Sequence, residues 1–349
     1  MEQDNDNSNN IEENSILYVS FNQDASFFSI GTQTGYAIYI TSTLKKKVSQ
    51  DLNGGIGIIE MLNKTNIIGL VGGGKNPKYP LNKLIIYDIH QLEVISELKF
   101  ISNVLNVKFK NDKIFATCEK KIYLFHIKHF EIFENYETAD NPKGIMSIAL
   151  EDNIIAFPKK ETEGSILIKN YENKKETTIE SSKEKLSIIS LNREGNIIAT
   201  SNIKGTIIKI YNTITGDFIK EVRRGKENAE IYSISFDKKS NFICVTSDRK
   251  TVHIFNIEKE INNDENDNLP KNHKSIFGKV SGFFGIDYFN SEWSFKYIKT
   301  DDEKSICRFS LDDTIYVLSY KGNFYNADYK ENIENKHCKI INKLNILNV

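Results

Sequence analysis

Short strand-like segments recur at a nearly constant interval along this chain of 349 residues. Each unit opens with a β-branched or aromatic run, followed by polar turn residues and further apolar runs. An apolar residue near the end of the first run recurs at Phe21, Met61, Phe109, Leu150, Leu191, Phe236 and Phe309. The first five intervals are 40 to 48 residues, which is the length of a four-stranded propeller blade, and the sixth is 73 residues. The repeat predicts an all-β fold, a WD40-like seven-bladed β-propeller with an insertion in blade six.

The best-formed unit, residues 186–224, serves as a template for the repeat. It reads LSIISLNREG, NIIATSN, GTIIKIYN and FIKEVRR, four strand-like segments joined by turns that contain Gly or Asn. A doubly wound α/β fold would need long amphipathic helices between strands, and no segment combines helical period with helix caps. A ring of blades also leaves only short, protected strand edges. The pattern therefore favours the propeller.

Two parts of the chain depart from the repeat. Residues 1–14 are Asn-rich and acidic and are expected to be disordered, with residues 15–349 forming a single propeller. The inserted loop, residues 258–292, lies between predicted strands at residues 251–257 and 293–298. It begins with a polar, charged half and continues with the apolar segment SIFGKVSGFFGIDYF. That segment needs an apolar partner, either a membrane or the side of the propeller. Its apolar residues include Ile276, Phe277, Val280, Phe283, Phe284 and Ile286.

Composition limits the possible partners and chemistry. The net charge of −1 gives no global field that would attract nucleic acid, so an anion site would have to be local. We find no secretory signal and no apolar run long enough to span a bilayer, which predicts a cytosolic protein with peripheral membrane contact at most. The four cysteines are widely spaced, which favours buried free thiols over a zinc site or disulfides. We expect no metal, no cofactor and no enzymatic activity.

The dipeptide Arg223-Arg224 is the strongest candidate for a binding site. It directly follows the last strand of the fifth unit, and adjacent residues on an extended backbone point to opposite sides. Each planar guanidinium matches the geometry of phosphate oxygens, so the pair could serve two separate anion pockets. The alternative is a pair of solvated arginines on the propeller rim.

The surroundings of this pair carry a family resemblance. Val222-Arg223-Arg224-Gly225 closes a blade that contains ATSNIKGTIIKIYN. These residues resemble the Phe- or Leu-Arg-Arg-Gly motif and the Ala-Thr-x-Ser-x-Lys-Gly-Thr blade of the PROPPIN or WIPI family. Further segments look like family segments in family order, namely TNIIGLVGGGKNP, NKLIIYDI, YETADNPKGIMSIAL, TVHIFNI and SEWSFKYIK. The resemblance extends from about Ile16 to the end of the chain.

The resemblance implies two lipid sites on the rim of a seven-bladed propeller. Site one would comprise Lys204, Thr206, Lys209 and Arg223, and site two would comprise Arg224, Ser247, Thr251 and His253. Site one departs from the family, because Asn202 stands where relatives usually have Ser, Lys209 where they often have Arg, and Ser182 where many have His. Lys keeps the charge but loses bidentate geometry, so weaker binding at site one is expected. The apolar half of the inserted loop would enter the bilayer.

The resemblance also implies a function in autophagy or in the biogenesis of another organelle membrane. The lipids would be phosphatidylinositol 3-phosphate and phosphatidylinositol 3,5-bisphosphate, and the protein would be a monomer in solution that recruits autophagy-machinery proteins. The membrane would be autophagosomal, endosomal or vacuolar, and the Asn-, Ile- and Lys-rich composition leaves open a specialised organelle such as an apicoplast. The main alternative is a propeller scaffold that binds only proteins, with Arg223 and Arg224 paired to acidic side chains of a partner.

Overall fold

The computed structural model describes residues 15–258, 271–274, 292–331 and 336–348. Those residues form seven sheets, each built on four antiparallel strands, which are the blades of a seven-bladed β-propeller. In six blades the four strands follow one another in chain order, and in blade six the fourth strand comes after the insertion. The fold class predicted from the repeat is therefore confirmed.

The strands follow the chain in order. Blades one to three contain β1 (Ile16–Phe21), β2 (Phe27–Thr32), β3 (Gly35–Ile40), β4 (Lys46–Asp51), β5 (Ile56–Met61), β6 (Ile67–Gly72), β7 (Lys83–Asp88), β8 (Glu93–Lys99), β9 (Asn106–Lys110), β10 (Lys113–Thr117), β11 (Lys121–His126) and β12 (Ile132–Glu137). Blades four and five contain β13 (Ser147–Ile148), β14 (Ile154–Pro158), β15 (Ser165–Asn170), β16 (Glu176–Glu180), β17 (Leu186–Leu191), β18 (Ile197–Asn202), β19 (Ile207–Asn212) and β20 (Phe218–Arg223).

Blades six and seven complete the order. They contain β21 (Ile231–Phe236), β22 (Phe242–Ser247), β23 (Thr251–Asn256), β26 (Lys296–Lys299), β27 (Ser305–Phe309), β28 (Ile315–Ser319), β29 (Asn323–Asp328) and β30 (Lys339–Asn345). Two short strands inside the insertion, β24 (His273–Lys274) and β25 (Glu292–Trp293), join the sheet of blade five. A 3-10 turn at Ile346–Asn348 follows the last strand.

The strands group into two compact units, the second of which comprises Met146–Val317 and Tyr325–Lys343. In this second unit, strands β17, β19 and β23 alternate buried apolar residues with more exposed ones, whereas β22, which lies between β21 and β23, is buried throughout. One of its apolar clusters joins Ile208, Ile210 and Val222 of blade five to Ile231 and Val245 of blade six. Burial of such side chains contributes about 1.5 to 3 kcal/mol each. The candidate site lies entirely in this unit.

The first unit contains the rest of the described chain and has its own apolar clusters. One cluster extends over blades two and three and includes Leu84, Val107, Phe109 and Ile114, all almost fully buried. A second cluster extends over blades one and two and includes Tyr36, Ile56 and Leu70. The first unit thus buries apolar side chains between neighbouring sheets, as the second unit does.

The repeat anchors from the sequence lie at or near the ends of first strands. Five of the seven anchors are the last residue of a strand, and Phe109 is the penultimate residue of β9. Leu150 lies two residues beyond β13, because that strand is only two residues long. All four cysteines are buried free thiols, as predicted.

One strand expected from the sequence is divided in the structure. Residues 293–298 look like one strand, but β25 ends at Trp293 and pairs in parallel with β20, whereas β26 begins at Lys296 and pairs with β23. The break occurs because Phe295 turns into the core of blade six, where it contacts Phe242 and its N–H donates to the carbonyl of Ile254. One continuous strand cannot pair with the sheets of both blades, so the chain leaves blade five after Trp293 and joins blade six at Phe295.

Candidate functional site

Blade five presents an apolar face and a basic face. Side chains directly opposite each other in an antiparallel ladder lie on the same face. Ile208 lies opposite Val222, and both belong to the apolar cluster shared with blade six. Arg223 lies opposite Ile207, two residues before Lys209, so Arg223 and Lys209 share the other face. The alternation of β19 and β20 thus places both cations away from that apolar cluster.

Both arginines of the pair are buried. Arg223 is 6% exposed and Arg224 is 5% exposed. A buried guanidinium requires compensation by partner groups, because removing its charge from water is costly. The low exposure rules out the alternative of two solvated rim arginines.

Arg224 is held in a fixed orientation by the backbone of two loops. Its Nε donates to the carbonyl of Gly205 at 3.0 Å, and its Nη2 donates to the carbonyl of Glu227. Its own N–H donates to the carbonyl of Thr206 at 2.9 Å. Because the two acceptors of the guanidinium are main-chain carbonyls, these hydrogen bonds do not neutralise its charge.

His253 of blade six lies within the electrostatic reach of Arg224. Its Nε2 hydrogen bonds with Thr251 Oγ1 at 3.2 Å, and its Nδ1 hydrogen bonds with Ser294 Oγ at 2.9 Å. Ser247 is 2% exposed, and its hydroxyl accepts the N–H of Arg249 at 3.4 Å. Ser247 therefore organises the turn between β22 and β23, while Thr251 orients the imidazole.

A third arginine, Arg249, joins this group. Its Nη2 donates to the carbonyl of Asn228 at 2.6 Å, and its Nη1 lies 3.4 Å from the carboxylate of Glu227. Burial, followed by the positive charge of Arg249, lowers the pKa of Arg224, and the carboxylates of Asp248 and Glu227 oppose this shift. An anion bound beside the two arginines would further reduce the repulsion between their like charges.

On the other face of blade five, the predicted site-one residues approach the connection between blades four and five. The Nζ of Lys209 donates to the carbonyl of Ser181 at 2.9 Å. Thr206 contributes its carbonyl to the N–H groups of Arg224 and Gly225, at 2.9 and 3.4 Å. The backbone of Thr206 thus joins the turn that carries Lys204 to the motif that carries both arginines.

The residues that depart from the family pattern form a hydrogen-bonded group in site one. Asn202 Nδ2 donates to Ser182 Oγ at 3.2 Å and to Glu184 Oε2 at 3.1 Å. The other carboxylate oxygen of Glu184, Oε1, lies 2.5 Å from Lys204 Nζ. Ser182 Oγ also accepts the N–H of Glu184 at 3.0 Å. A carboxylate therefore lies against two of the donors in this part of the site.

Two described segments, residues 273–274 within the insertion and residues 292–293 at its end, meet beside Arg223. Trp293 lies opposite Arg223 in the parallel pairing of β20 with β25, and His273 lies opposite Trp293 in the pairing of β24 with β25. Lys220 Nζ lies 2.9 Å from Glu292 Oε2, an ion pair in which both side chains are mostly buried. The predicted membrane-insertion residues lie outside the described residues, namely Ile276, Phe277, Val280, Phe283, Phe284 and Ile286.

Comparison with known proteins identifies the family of this chain. The family model described as PROPPIN matches residues 15–296, which is most of the chain. The chain belongs to the PROPPIN family. Autophagy-related protein 18 of Dictyostelium discoideum is 32% identical over an alignment that covers 70% of this chain and 65% of that relative. The chain therefore spans slightly less than two thirds of that relative.

Solved structures share the fold of this PROPPIN. Kluyveromyces lactis Hsv2 with a complete loop 6CD aligns with a TM-score of 0.75 and 22% identity, covering 95% of this chain and 99% of that one. A complex of KlAtg21 with the coiled coil of AgAtg16 aligns with a TM-score of 0.74 and 18% identity, with the same coverage.

Family membership defines the general class of this PROPPIN. PROPPINs are non-enzymatic β-propellers that act as lipid-binding scaffolds in autophagy, so the chain is a binding protein and not an enzyme. In the part of the chain that the structure describes, no helix is long and apolar enough to cross a membrane. Within those same residues, no group of three or more His, Cys, Asp or Glu side chains could hold a metal ion.

Three residues of the site were missed in the sequence. Arg249 lies between Ser247 and Thr251, so its proximity to a predicted site was visible, but its contact with Glu227 was not. Ser294 lies 41 residues after His253, beyond the insertion, and no local signal connects the two. Glu184 lies in the charged run SSKEK, which reads as a solvated connection.

The imidazole of His253 should make the free energy of unfolding of this PROPPIN depend on pH. Burial, and secondly the positive charge of Arg224, lowers the pKa of His253 to about 4, from 6.5. Between these values the unfolded chain binds a proton that the folded protein does not, so the free energy of unfolding falls as the pH decreases from 6.5 toward 4. We expect His253→Asn to remove up to about 3 kcal/mol of this decrease.

Urea denaturation over this pH range measures the effect. His129→Asn is a matched control, because it deletes an exposed histidine outside the site. The same pH dependence in wild type and His253→Asn would show that His253 is not held in its neutral form.

Proposed function

We propose that this PROPPIN binds phosphatidylinositol 3-phosphate, phosphatidylinositol 3,5-bisphosphate or both, as a peripheral membrane effector. The observation that carries the proposal is the burial of Arg224 beside a second positive charge, that of Arg249. The neighbouring imidazole of His253 is neutral. Buried cations with perturbed pKa values are typical of functional sites. A phosphate group is the anion whose charge and oxygen geometry best match a guanidinium fixed at Nε and Nη2.

In site two, we propose that Arg224 binds the phosphate through its remaining N–H groups. Thr251 and His253 would contact phosphate oxygens or inositol hydroxyls, and Ser247 would hold the turn that positions Arg249. Binding of the anion favours the protonated imidazole and would therefore raise the pKa of His253 in the complex. In site one, Arg223, Lys204, Lys209 and Thr206 would hold a second head group on the opposite face of blade five.

Two neighbouring sites that both draw on blade five have a simple consequence at a membrane. After one head group is bound, binding of the second becomes intramolecular, so the combined affinity exceeds that of either site. We propose that the apolar half of the insertion adds membrane affinity by burying aromatic side chains at the head-group boundary. The C-terminal end of the insertion supports this, since β25 pairs with the strand that carries Arg223.

For localisation, we propose membranes that carry 3-phosphorylated inositides, whether autophagosomal, endosomal, vacuolar or of a specialised organelle. We also propose that the protein recruits autophagy-machinery proteins there and is a monomer in solution. The solved complex of KlAtg21 with a coiled coil supports a protein partner for a propeller of this fold. The name of the Dictyostelium discoideum relative supports the autophagy assignment.

Liposome flotation tests the proposal directly. Wild-type protein should float with vesicles that contain phosphatidylinositol 3-phosphate and not with phosphatidylcholine vesicles. The double variant Arg223→Thr plus Arg224→Thr should lose nearly all of this binding, because each site loses its bidentate donor. If wild type and the double variant float equally, the arginines do not bind lipid, and a scaffold that binds only proteins becomes the better interpretation.

A further inference from the structure

The connection between blades four and five brings an acidic side chain into site one. Glu184 Oε1 lies 2.5 Å from Lys204 Nζ, and Glu184 Oε2 accepts a hydrogen bond from Asn202 Nδ2 at 3.1 Å. Both oxygens of one carboxylate are therefore engaged by donors of the turn between β18 and β19. This is the arrangement expected of a bound anion, and here the anion belongs to the protein.

The local backbone positions this carboxylate. Ser182 Oγ accepts the N–H of Glu184 at 3.0 Å and the side-chain amide of Asn202 at 3.2 Å. The N–H groups of Ser181 and Ser182 donate to the carbonyl of Gly164 at 3.2 Å each. Gly164 has φ +73, and a Cβ there would lie 2.1 Å from the carbonyl of Ser182, so only glycine permits this close approach.

We propose that Glu184 is an internal counter-anion of site one, which occupies Lys204 and Asn202 in the lipid-free protein and leaves when a phosphate binds. The inference rests on the proposed lipid-binding function and adds a regulatory residue to it. A phosphomonoester carries about 1.5 to 2 negative charges and three acceptor oxygens, so it can displace a carboxylate from a lysine. In site two, the hydrogen bonds that the Arg224 guanidinium makes to Gly205 and Glu227 go to main-chain carbonyls, and no described side-chain carboxylate bonds to it as Glu184 does to Lys204.

The expected size of the effect follows from exposure. The side chain of Lys204 is 57% exposed and that of Glu184 is 33% exposed, so water screens the pair. Exposed ion pairs contribute little, and an amide hydrogen bond adds a comparable amount. Removing the competing charge should therefore tighten binding at site one by about fivefold and not by orders of magnitude. The ion pair makes site one the weaker site, and we expect site two to bind first.

Vesicle sedimentation with Glu184→Gln tests the inference. Gln keeps the shape of Glu and can still accept the Asn202 amide, so the fold should be preserved, which thermal melting verifies. Glu180→Gln is a matched control, because it removes the same charge from an exposed residue at the end of the preceding strand. The probes are phosphatidylcholine vesicles with and without phosphatidylinositol 3-phosphate.

The inference predicts a specific pattern. Glu184→Gln should bind vesicles with phosphatidylinositol 3-phosphate about fivefold more tightly than wild type, and Glu180→Gln should bind within about twofold of wild type. Adding Arg223→Thr to Glu184→Gln should abolish the gain. Binding of Glu184→Gln equal to or weaker than that of wild type, or an equal gain in Glu180→Gln, overturns the inference and leaves the proposed function standing. Binding by none of these proteins above the phosphatidylcholine control overturns the proposed function itself.

Discussion

Replacing Arg224 by Lys should weaken binding to vesicles with phosphatidylinositol 3-phosphate by about 30-fold or more. Lys keeps the positive charge, so a large loss would show that geometry matters beyond charge. The guanidinium is fixed by bonds from Nε to Gly205 and from Nη2 to Glu227, which direct its other N–H groups. A lysine ammonium cannot make both bonds and present a planar fork as well. Vesicle flotation over a range of lipid concentrations measures the change.

A control separates loss of lipid contact from a general effect of the substitution. Arg193→Lys makes the same chemical change at a guanidinium that pairs with Glu151 and is 38% exposed. This variant should bind like wild type. Arg223→Lys should have a smaller effect than Arg224→Lys, because Lys204 and Lys209 remain near site one. Wild-type affinity in Arg224→Lys would contradict the assignment of this residue as the main phosphate ligand.

Replacing Gly205 by Ala should destabilise the second unit by about 3 kcal/mol, combining left-handed strain with steric overlap. Gly205 has φ +59, and a Cβ there would lie 1.9 Å from the carbonyl oxygen of Ala229. Relief of this overlap requires the turn to move away from residue 229. That movement would break the bond from Arg224 Nε to the Gly205 carbonyl and the bond from the N–H of Ala229 to the carbonyl of Lys204. Urea denaturation measures the loss, and lipid binding should decrease with it.

Gly225, the last residue of the motif, supplies the matched control. A Cβ built at Gly225 has no atom of the described structure within 4 Å. Gly225→Ala should therefore change the free energy of unfolding by less than about 1 kcal/mol. Equal stability of Gly205→Ala and Gly225→Ala would show that the turn between β18 and β19 tolerates a side chain.

The repeat was readable from sequence because it is local. Strand segments such as LSIISL and GTIIKIYN are rich in β-branched or aromatic residues, and turn residues separate them, so blade boundaries depend on neighbouring residues only. The short strand β13 was located less well, since two residues give little pattern. The division between β25 and β26 was missed, because it depends on which of two sheets each segment joins.

The candidate site was predicted in part for the same reason. Arg223 and Arg224 are adjacent, and the alternation of an extended chain alone implies that they serve different sides. The resemblance supplied Ser247, Thr251 and His253, which lie close together in the sequence. The contact of Arg249 with Glu227 and that of Ser294 with His253 join residues far apart in the sequence, so only the structure revealed them. The resemblance also identified Ser182 and Asn202 as departures from the family without indicating what replaces the missing interactions.

The amino-acid sequence by itself determined the all-β repeat, the position of the insertion and the choice of the arginine pair, since each depends on periodicity or on adjacent residues. The tertiary structure decided the electrostatic state of the two sites. Both arginines are nearly excluded from water, and His253 is held in its neutral form. Glu184, which is 20 residues before Lys204 in the chain, forms an ion pair with it. Burial and charge separation depend on which segments pack together, and no local pattern encodes them.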